Sequence, residues 1–165
     1  MIDKKGNRGT TIMDLMIVVS VIGILTAVGA PNLSNWLERS RQKEASYELA
    51  SVIRLARAQA LELGNKIGVK LSIGGETDID GDGEDEDYIL FVDSDSGNDY
   101  TAGERILYRN EWGRGASIDA SSGGNIIVYK PSGLLLQGNT TIDIDNYHLK
   151  IQPRTGRVIV YENND

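Results

Sequence analysis

"NRGTTIMDLMIVVSVIGILTAVGAPN" occupies residues 7–32, and its reading decides the fold. From Thr10 to Ala30 it runs 21 residues with Asp14 as the one charge. An α-helix needs about 20 apolar residues to cross a hydrocarbon layer about 30 Å thick, so the stretch predicts a membrane-spanning helix. A cleaved secretory signal has an apolar region of only about 7–15 residues, shorter than this run. Lys4, Lys5 and Arg8 precede it. Basic flanks stay cytoplasmic, so everything after Pro31 is expected on the far side of the membrane.

The helical pattern continues past Pro31. Ala45, Leu49, Val52, Ala56, Ala60 and Leu63 recur at spacings of three and four, while Arg39, Arg41, Lys43, Glu44, Glu48, Arg54, Arg57 and Glu62 occupy the other faces. Such a stripe must be buried against something. Gly64-Asn65 supplies the stop, because glycine past the last apolar position closes a helix in the left-handed conformation. One helix from about Thr11 to Leu63 is expected, kinked near Gly29-Ala30-Pro31.

Charge is distributed unevenly. Of 165 residues with net charge −7, residues 1–70 hold ten Lys/Arg against six Asp/Glu, and residues 71–165 hold seven against eighteen. An acidic body repels phosphate backbones and anionic lipid heads at long range. Cysteine is absent, which excludes disulfides and Cys-ligated zinc or iron–sulfur sites. The length suits one domain with one appended element.

After Gly64 the pattern becomes short β-rich runs between Gly, Asn, Asp and Ser. Strands are expected at Ile67–Ile73, Tyr88–Val92, Arg105–Arg109, Asn125–Lys130, Leu134–Gln137, Thr141–Asp145, Tyr147–Gln152 and Arg157–Tyr161. The fold class is α+β: a long N-terminal helix, membrane-spanning in its first half and amphipathic in its second, packed on a mostly antiparallel sheet. His148 alternates with apolar neighbours in "YHLKIQ" and is expected to face solvent. With one His and no Cys, neither a zinc site nor a nucleophile–base pair is suggested, so no enzyme is expected.

The basic leader ending in Gly9, followed by Thr10-Thr11-Ile12-Met13-Asp14-Leu15-Met16-Ile17-Val18-Val19, resembles the class III signal of type IV pilins and type II secretion pseudopilins. The resemblance implies cleavage after Gly9 by a prepilin peptidase, N-methylation of Thr10, and an assembly role for the fifth mature residue. That residue is Asp14, where the family has glutamate; Gly23 and Pro31 fall fourteenth and twenty-second, where the family has Gly and Pro. Further along, "SVIRLARAQALELGNKIGVKL", "DYILFVDSDSGNDYTAGERILYR" and "PRTGRVIVYENND" resemble the GspH/FimT type of minor pseudopilin or pilin. The implied organisation is a leader over 1–9, an assembly helix over 10–30, its amphipathic continuation over 31–64, and an extracytoplasmic β-rich domain over 65–165. The implied partners are other pilins, the peptidase, an inner-membrane assembly platform and lipid. The implied location is the bacterial inner membrane, with the C-terminal domain periplasmic.

A carboxylate within hydrocarbon costs about 2.5–3.5 kcal/mol at a helix centre and marks a site. Cleavage would make the α-amino group of Thr10 a cation at the depth of Asp14, within the subunit or across to a neighbour, and low dielectric strengthens such a pair. Asp14 also suits the first turn of a helix, where the dipole favours negative charge.

Two acidic loops fit parts of a calcium template in which alternating side chains converge their oxygens. The first places Asp78, Asp80 and Asp82 at positions one, three and five and Gly83 at six, but Ile89 at twelve lacks the closing carboxylate. The second places Asp93, Asp95, Asp99 and Glu104 at positions one, three, seven and twelve, with Asn98 at six. Calcium is the one cofactor suggested; a solvated acidic hairpin tip is the alternative. Two other functions stay open. A DNA-uptake receptor would use a basic "GRxR" motif, of which only Gly156, Arg157 and the nearby Arg154 are present. Two arginines give little phosphate affinity against an acidic body, so nucleic acid is not an expected partner. A single-span membrane protein with a calcium-dependent binding domain would retain its leader.

Overall fold

The computed structural model describes residues 11–73, 78–95, 97–110, 118–119, 125–137 and 141–162; for residues 28–32, 119 and 137 only the backbone is described. Two compact units divide at Glu38, Met1–Glu38 and Arg39–Asp165.

Helix α1 runs Ile12–Leu63, 52 residues, within one residue of the expected start. In the first unit every described side chain from Thr11 to Ala27 is exposed, Ile12 by 81% and Leu25 by 67%. Among the described residues no helix is long and apolar enough to cross a membrane. The described side chains of the apolar run reach about 25 Å at 1.5 Å per residue, short of the roughly 30 Å required. Thr10 and the side chains of 28–30, which completed the expected span, lie outside the described residues. The expected kink falls there as well, where the backbone is helical.

In the second unit the amphipathic stripe is buried at Ala45, Leu49, Val52, Ala56 and Ala60, joined by Ala50 and Ile53. Leu63 stays 40% exposed, so the buried stripe ends one turn earlier than expected. Gly64 closes the helix with φ +64°, the left-handed conformation that costs glycine nothing.

The strands are β1 Lys66–Leu71, β2 Tyr88–Asp93, β3 Arg105–Asn110, β4 Ile118–Asp119, β5 Ile126–Tyr129, β6 Leu135–Gln137, β7 Thr141–Ile144, β8 Tyr147–Ile151 and β9 Val158–Glu162. They form a five-stranded sheet, β3-β2-β1-β5-β6, and a four-stranded sheet, β4-β7-β8-β9. All the paired strands run antiparallel. Each expected strand has its counterpart, and β4 is additional, a two-residue ladder too short for a periodic signal. His148 lies on the solvent face of β8, as expected, away from the buried Tyr147, Leu149 and Ile151, and is partly covered because its Nδ1 pairs with the Asp143 carboxylate opposite it on β7.

One apolar cluster joins the helix stripe to both sheets through residues such as Val69, Leu90, Tyr129, Ile142 and Leu149. β2 is buried on both faces. Tyr88, Leu90 and Val92 face this cluster, while Ile89 and Phe91 point the other way and form a second cluster with Ile126 and Val128. Gly68 sits opposite Phe91 in the ladder, and a Cβ there would lie 2.3 Å from the ring, so only glycine lets Phe91 fold over β1. Ile79 and Tyr100, one from each acidic loop, cover this second cluster.

Candidate functional site

Gly9 and Thr10 lie outside the described residues. At the start of α1 the Thr11 N–H donates to Asp14 Oδ2 at 3.0 Å, and the Asp14 N–H meets Thr11 Oγ1 at 3.3 Å. This reciprocal pair is a capping box, in which side chains three residues apart each bond the other's backbone N–H at the helix start; the Asp14 N–H also reaches the Thr11 carbonyl at 3.1 Å. Asp14, four residues beyond Thr10, is therefore engaged within its own chain.

The two acidic loops fold alike. In the first, the Gly83 N–H donates to Asp78 Oδ2 at 2.9 Å and the Asp82 N–H to Asp80 Oδ1 at 3.1 Å. In the second, Asn98 N–H donates to Asp93 Oδ2 at 3.3 Å and Gly97 N–H to Asp95 Oδ1 at 2.7 Å. The sixth position is left-handed in both, with φ +91° at Gly83 and +61° at Asn98. These Asx bonds fix the carboxylates in place at the cost of crowding like charges.

Each cluster departs from its template. The first gathers Asp78, Asp80, Asp82 and Glu86, whose oxygens lie within 4.8 Å of one another. Glu86, at the ninth position, was not singled out by the sequence because the template expects its acid at twelve. That twelfth residue, Ile89, is buried and stands opposite Arg109 in the ladder. Arg109 reaches back to the loop: its guanidinium lies 2.8 Å from Asp80 Oδ2, hydrogen-bonds Asp82, and stands 3.6 Å from Glu86 Oε1. The Glu84 N–H and Arg109 hold the Asp82 carboxyl below its ordinary range, and Asp82 in turn raises Arg109. Glu86 moves upward, because burial and then the Asp80 and Asp82 charges outweigh the Ile79 N–H bond and Arg109.

The second cluster brings together Asp93, Asp95 and Glu104. Asp99 does not join them, since Lys70 holds it in an ion pair at 3.0 Å. Glu104 accepts from the Ser94 N–H at 2.7 Å and the Thr101 N–H at 3.0 Å, which ties the far end of the loop to its start. The Gly97 N–H and then the Thr101 hydroxyl hold Asp95 below the usual carboxylate range.

A helix-to-turn clamp also escaped the sequence reading. Arg57 Nε donates to the Gly133 carbonyl at 3.0 Å, and Arg54 donates to the Val158 carbonyl at 3.1 Å. A Cβ on Gly156 would lie 2.7 Å from Arg57 Cδ, so the arginine stem lies across that glycine. The signal was present in "LARAQA" and "TGRV", but only the folded chain brings them together. Arg154 and Arg157, the residues of the DNA-receptor alternative, are both exposed beside β9, the edge of the smaller sheet. Charge at such an edge discourages strand pairing between molecules.

Comparison with known proteins bears on the whole arrangement. The family model described as "Type II transport protein GspH" matches residues 45–163. The pilin-like protein PilA1 of Thermus thermophilus is 26% identical over 133 residues, 77% of this chain and 78% of that protein. The type IV major pilin protein PilA of Myxococcus xanthus is 48% identical over 46 residues, which span 28% of this chain and only 21% of that protein. Among solved structures, the type IV minor pilin FimU of Pseudomonas aeruginosa aligns with a TM-score of 0.53 at 16% identity, covering 79% of this chain and 95% of FimU. At that identity the likeness concerns the fold alone: a long N-terminal helix on antiparallel sheet. With the family model covering both the buried helix stripe and the two sheets, this chain belongs to the GspH family of pilin-like structural proteins.

Proposed function

We propose that this chain is a minor subunit of a type IV pilus or a type II secretion pseudopilus, assembling through its N-terminal helix in initiation or at the tip. The supporting observation is the first unit: from Thr11 to Ala27 all described side chains are exposed, nearly all apolar, on a helix whose first turn carries a capped acid. An apolar helix face left uncovered in one chain is stable only against lipid or other helices. In this reading the helix rests in the inner membrane, the prepilin peptidase cleaves after Gly9, Thr10 is N-methylated, and the helix then bundles with those of other pilins on the assembly platform. In the same reading the second unit lies in the periplasm. Its role is not catalytic.

Asp14 has two tasks in this scheme. Its carboxylate caps the helix through Thr11, and in the processed chain the new ammonium would belong to Thr10, the residue before Thr11, as an opposite charge that low dielectric attracts strongly. An aspartate in place of the family's glutamate fits a minor position, where one subunit joins the filament rather than many. The test is the mass of the protein from native membranes together with assembly of an Asp14→Ala variant. A methylated chain beginning at Thr10 is expected, and loss of filament incorporation by the variant. A chain beginning at Met1, or a variant incorporated at full efficiency, would refute the proposal.

A further inference from the structure

The two acidic loops share a fold but differ in what answers their charge. In the first, Arg109 contacts Asp80, Asp82 and Glu86, so a guanidinium from β3 already serves as the cation. In the second, three carboxylates converge, and among the described residues the cation beside them is the Lys66 ammonium, paired with Asp93 alone. The Asp93 side chain is fully shielded from solvent, and its Oδ1 has no hydrogen-bond partner among the described residues; Glu86 Oε1 in the first loop has none either, but there the Arg109 guanidinium stands 3.6 Å from that same oxygen. The Lys66 ammonium stands 3.7 Å from the other oxygen, Oδ2, and donates to Asn98 Oδ1 at 2.9 Å. Lys70 is engaged with Asp99. A buried carboxylate oxygen without a donor is costly, and two further carboxylates beside it raise that cost.

We infer that Asp93, Asp95 and Glu104 bind one divalent cation of the calcium class, and that the Asp78–Glu86 loop binds none because Arg109 takes the ion's place there. The donors offered are all hard oxygens, which excludes the thiolate and imidazole metals. One oxygen from each of the three carboxylates lies within 4.8 Å of the others. That is close enough for one ion to be shared, and three carboxylates on an irregular loop suit calcium, which takes about 6–8 oxygens in flexible geometry, better than magnesium, which demands a regular octahedron and keeps several waters. The hydrogen bonds to Asp95 and Glu104 from Gly97, Ser94 and Thr101 hold these carboxylates in position while leaving further lone pairs for an ion. The inference does not depend on the filament role.

The full chain in detergent micelles, stripped of metal with EGTA and dialysed, is titrated with calcium chloride by calorimetry and melted with and without 1 mM (about the extracellular level) calcium or magnesium chloride. The expected result is one calcium per chain and a rise in Tm of about 4 °C or more with calcium, smaller with magnesium. Asp93→Asn and Glu104→Gln abolish both responses, and Asp80→Asn leaves both intact. Asp93→Asn removes a buried charge and should melt no lower than the metal-free parent, so its lost response would not reflect unfolding; Glu104→Gln tests the same site from the loop's far end. No heat and no change in Tm for the parent chain, an equal effect of magnesium, two ions per chain, or a response that survives Asp93→Asn and disappears in Asp80→Asn would each overturn the inference.

Discussion

Replacing Gly156 by alanine should cost about 3 kcal/mol, far more than a surface turn residue normally does. Gly156 has φ +62°, a conformation that costs an L-residue about 1–2 kcal/mol. The added methyl would also sit 2.7 Å from Cδ and 2.9 Å from Nε of Arg57, and 3.3 Å from Tyr129. Tyr129 is fully buried and cannot withdraw, so the arginine must move, which breaks its 3.0 Å bond to the Gly133 carbonyl. A hydrogen bond from a charged donor contributes about 1.5–3 kcal/mol. In an Arg57→Ala background the steric part vanishes and Gly156→Ala should cost only about 1 kcal/mol, a coupling of about 2 kcal/mol between the two sites. The assay is urea unfolding of a fragment spanning Arg39–Asp165, the unit that contains both apolar clusters, with midpoints compared at constant m. Equal costs in the two backgrounds would refute the clamp.

Three further outcomes follow from individual side chains. Among the described residues the Tyr129 hydroxyl has no hydrogen-bond partner, and burial pushes its phenol up to about 12, so Tyr129→Phe should stabilise the fragment by about 1 kcal/mol, and ultraviolet titration should show one tyrosine ionising only near that pH; a loss of stability would mean the hydroxyl has a partner. Glu86 has a folded pKa raised above its ordinary 4.5, so the folded state binds its proton more tightly and stability falls as pH rises through that window; with EGTA present, Glu86→Gln should flatten the fall and be the more stable form at pH 7 (near neutrality), and a steeper fall would contradict the assignment. Gly68→Ala should expel the Phe91 ring, costing about 3 kcal/mol and loosening the second apolar cluster, read as a lower urea midpoint and increased tyrosine quenching; an unchanged midpoint would refute the close approach.

The helix and most strands were legible because their signals are local and periodic. The spacing of Ala45, Leu49, Val52, Ala56 and Ala60 states a buried face without reference to anything distant, and Gly64 states where it stops. The single helix-to-sheet core was implied by the same stripe. What stayed hidden depends on contacts between remote residues. Arg109 could not be assigned to the first acidic loop until the β2–β3 register placed it opposite Ile89, and that pairing also explains why the expected twelfth-position acid is absent. Glu86 was hidden because it stands at the ninth position, while the closing carboxylate was sought at the twelfth. Asp99 and Asp93 looked equivalent in sequence, yet Lys70 removes one and burial isolates the other.

The loops and the second apolar cluster depend on each other. Ile79 comes from the first loop and Tyr100 from the second, and Tyr100 packs edge-on to Phe91 with ring centroids 5.4 Å apart. Burying such a ring is worth about 2–3 kcal/mol, while several carboxylates crowded above it pull the other way. Whatever cation neutralises a loop therefore also holds its apolar residue down on β2. In the first loop that cation is part of the sheet, because Arg109 stands on β3, and the cover over Ile89 is fixed when the strands pair. In the second loop no described guanidinium reaches the cluster, so closure over Phe91 should respond to an ion from solution. One face of the sheet thus carries a permanent cover and a conditional one, and it is the conditional loop, Asp93–Glu104, whose shape should change with calcium.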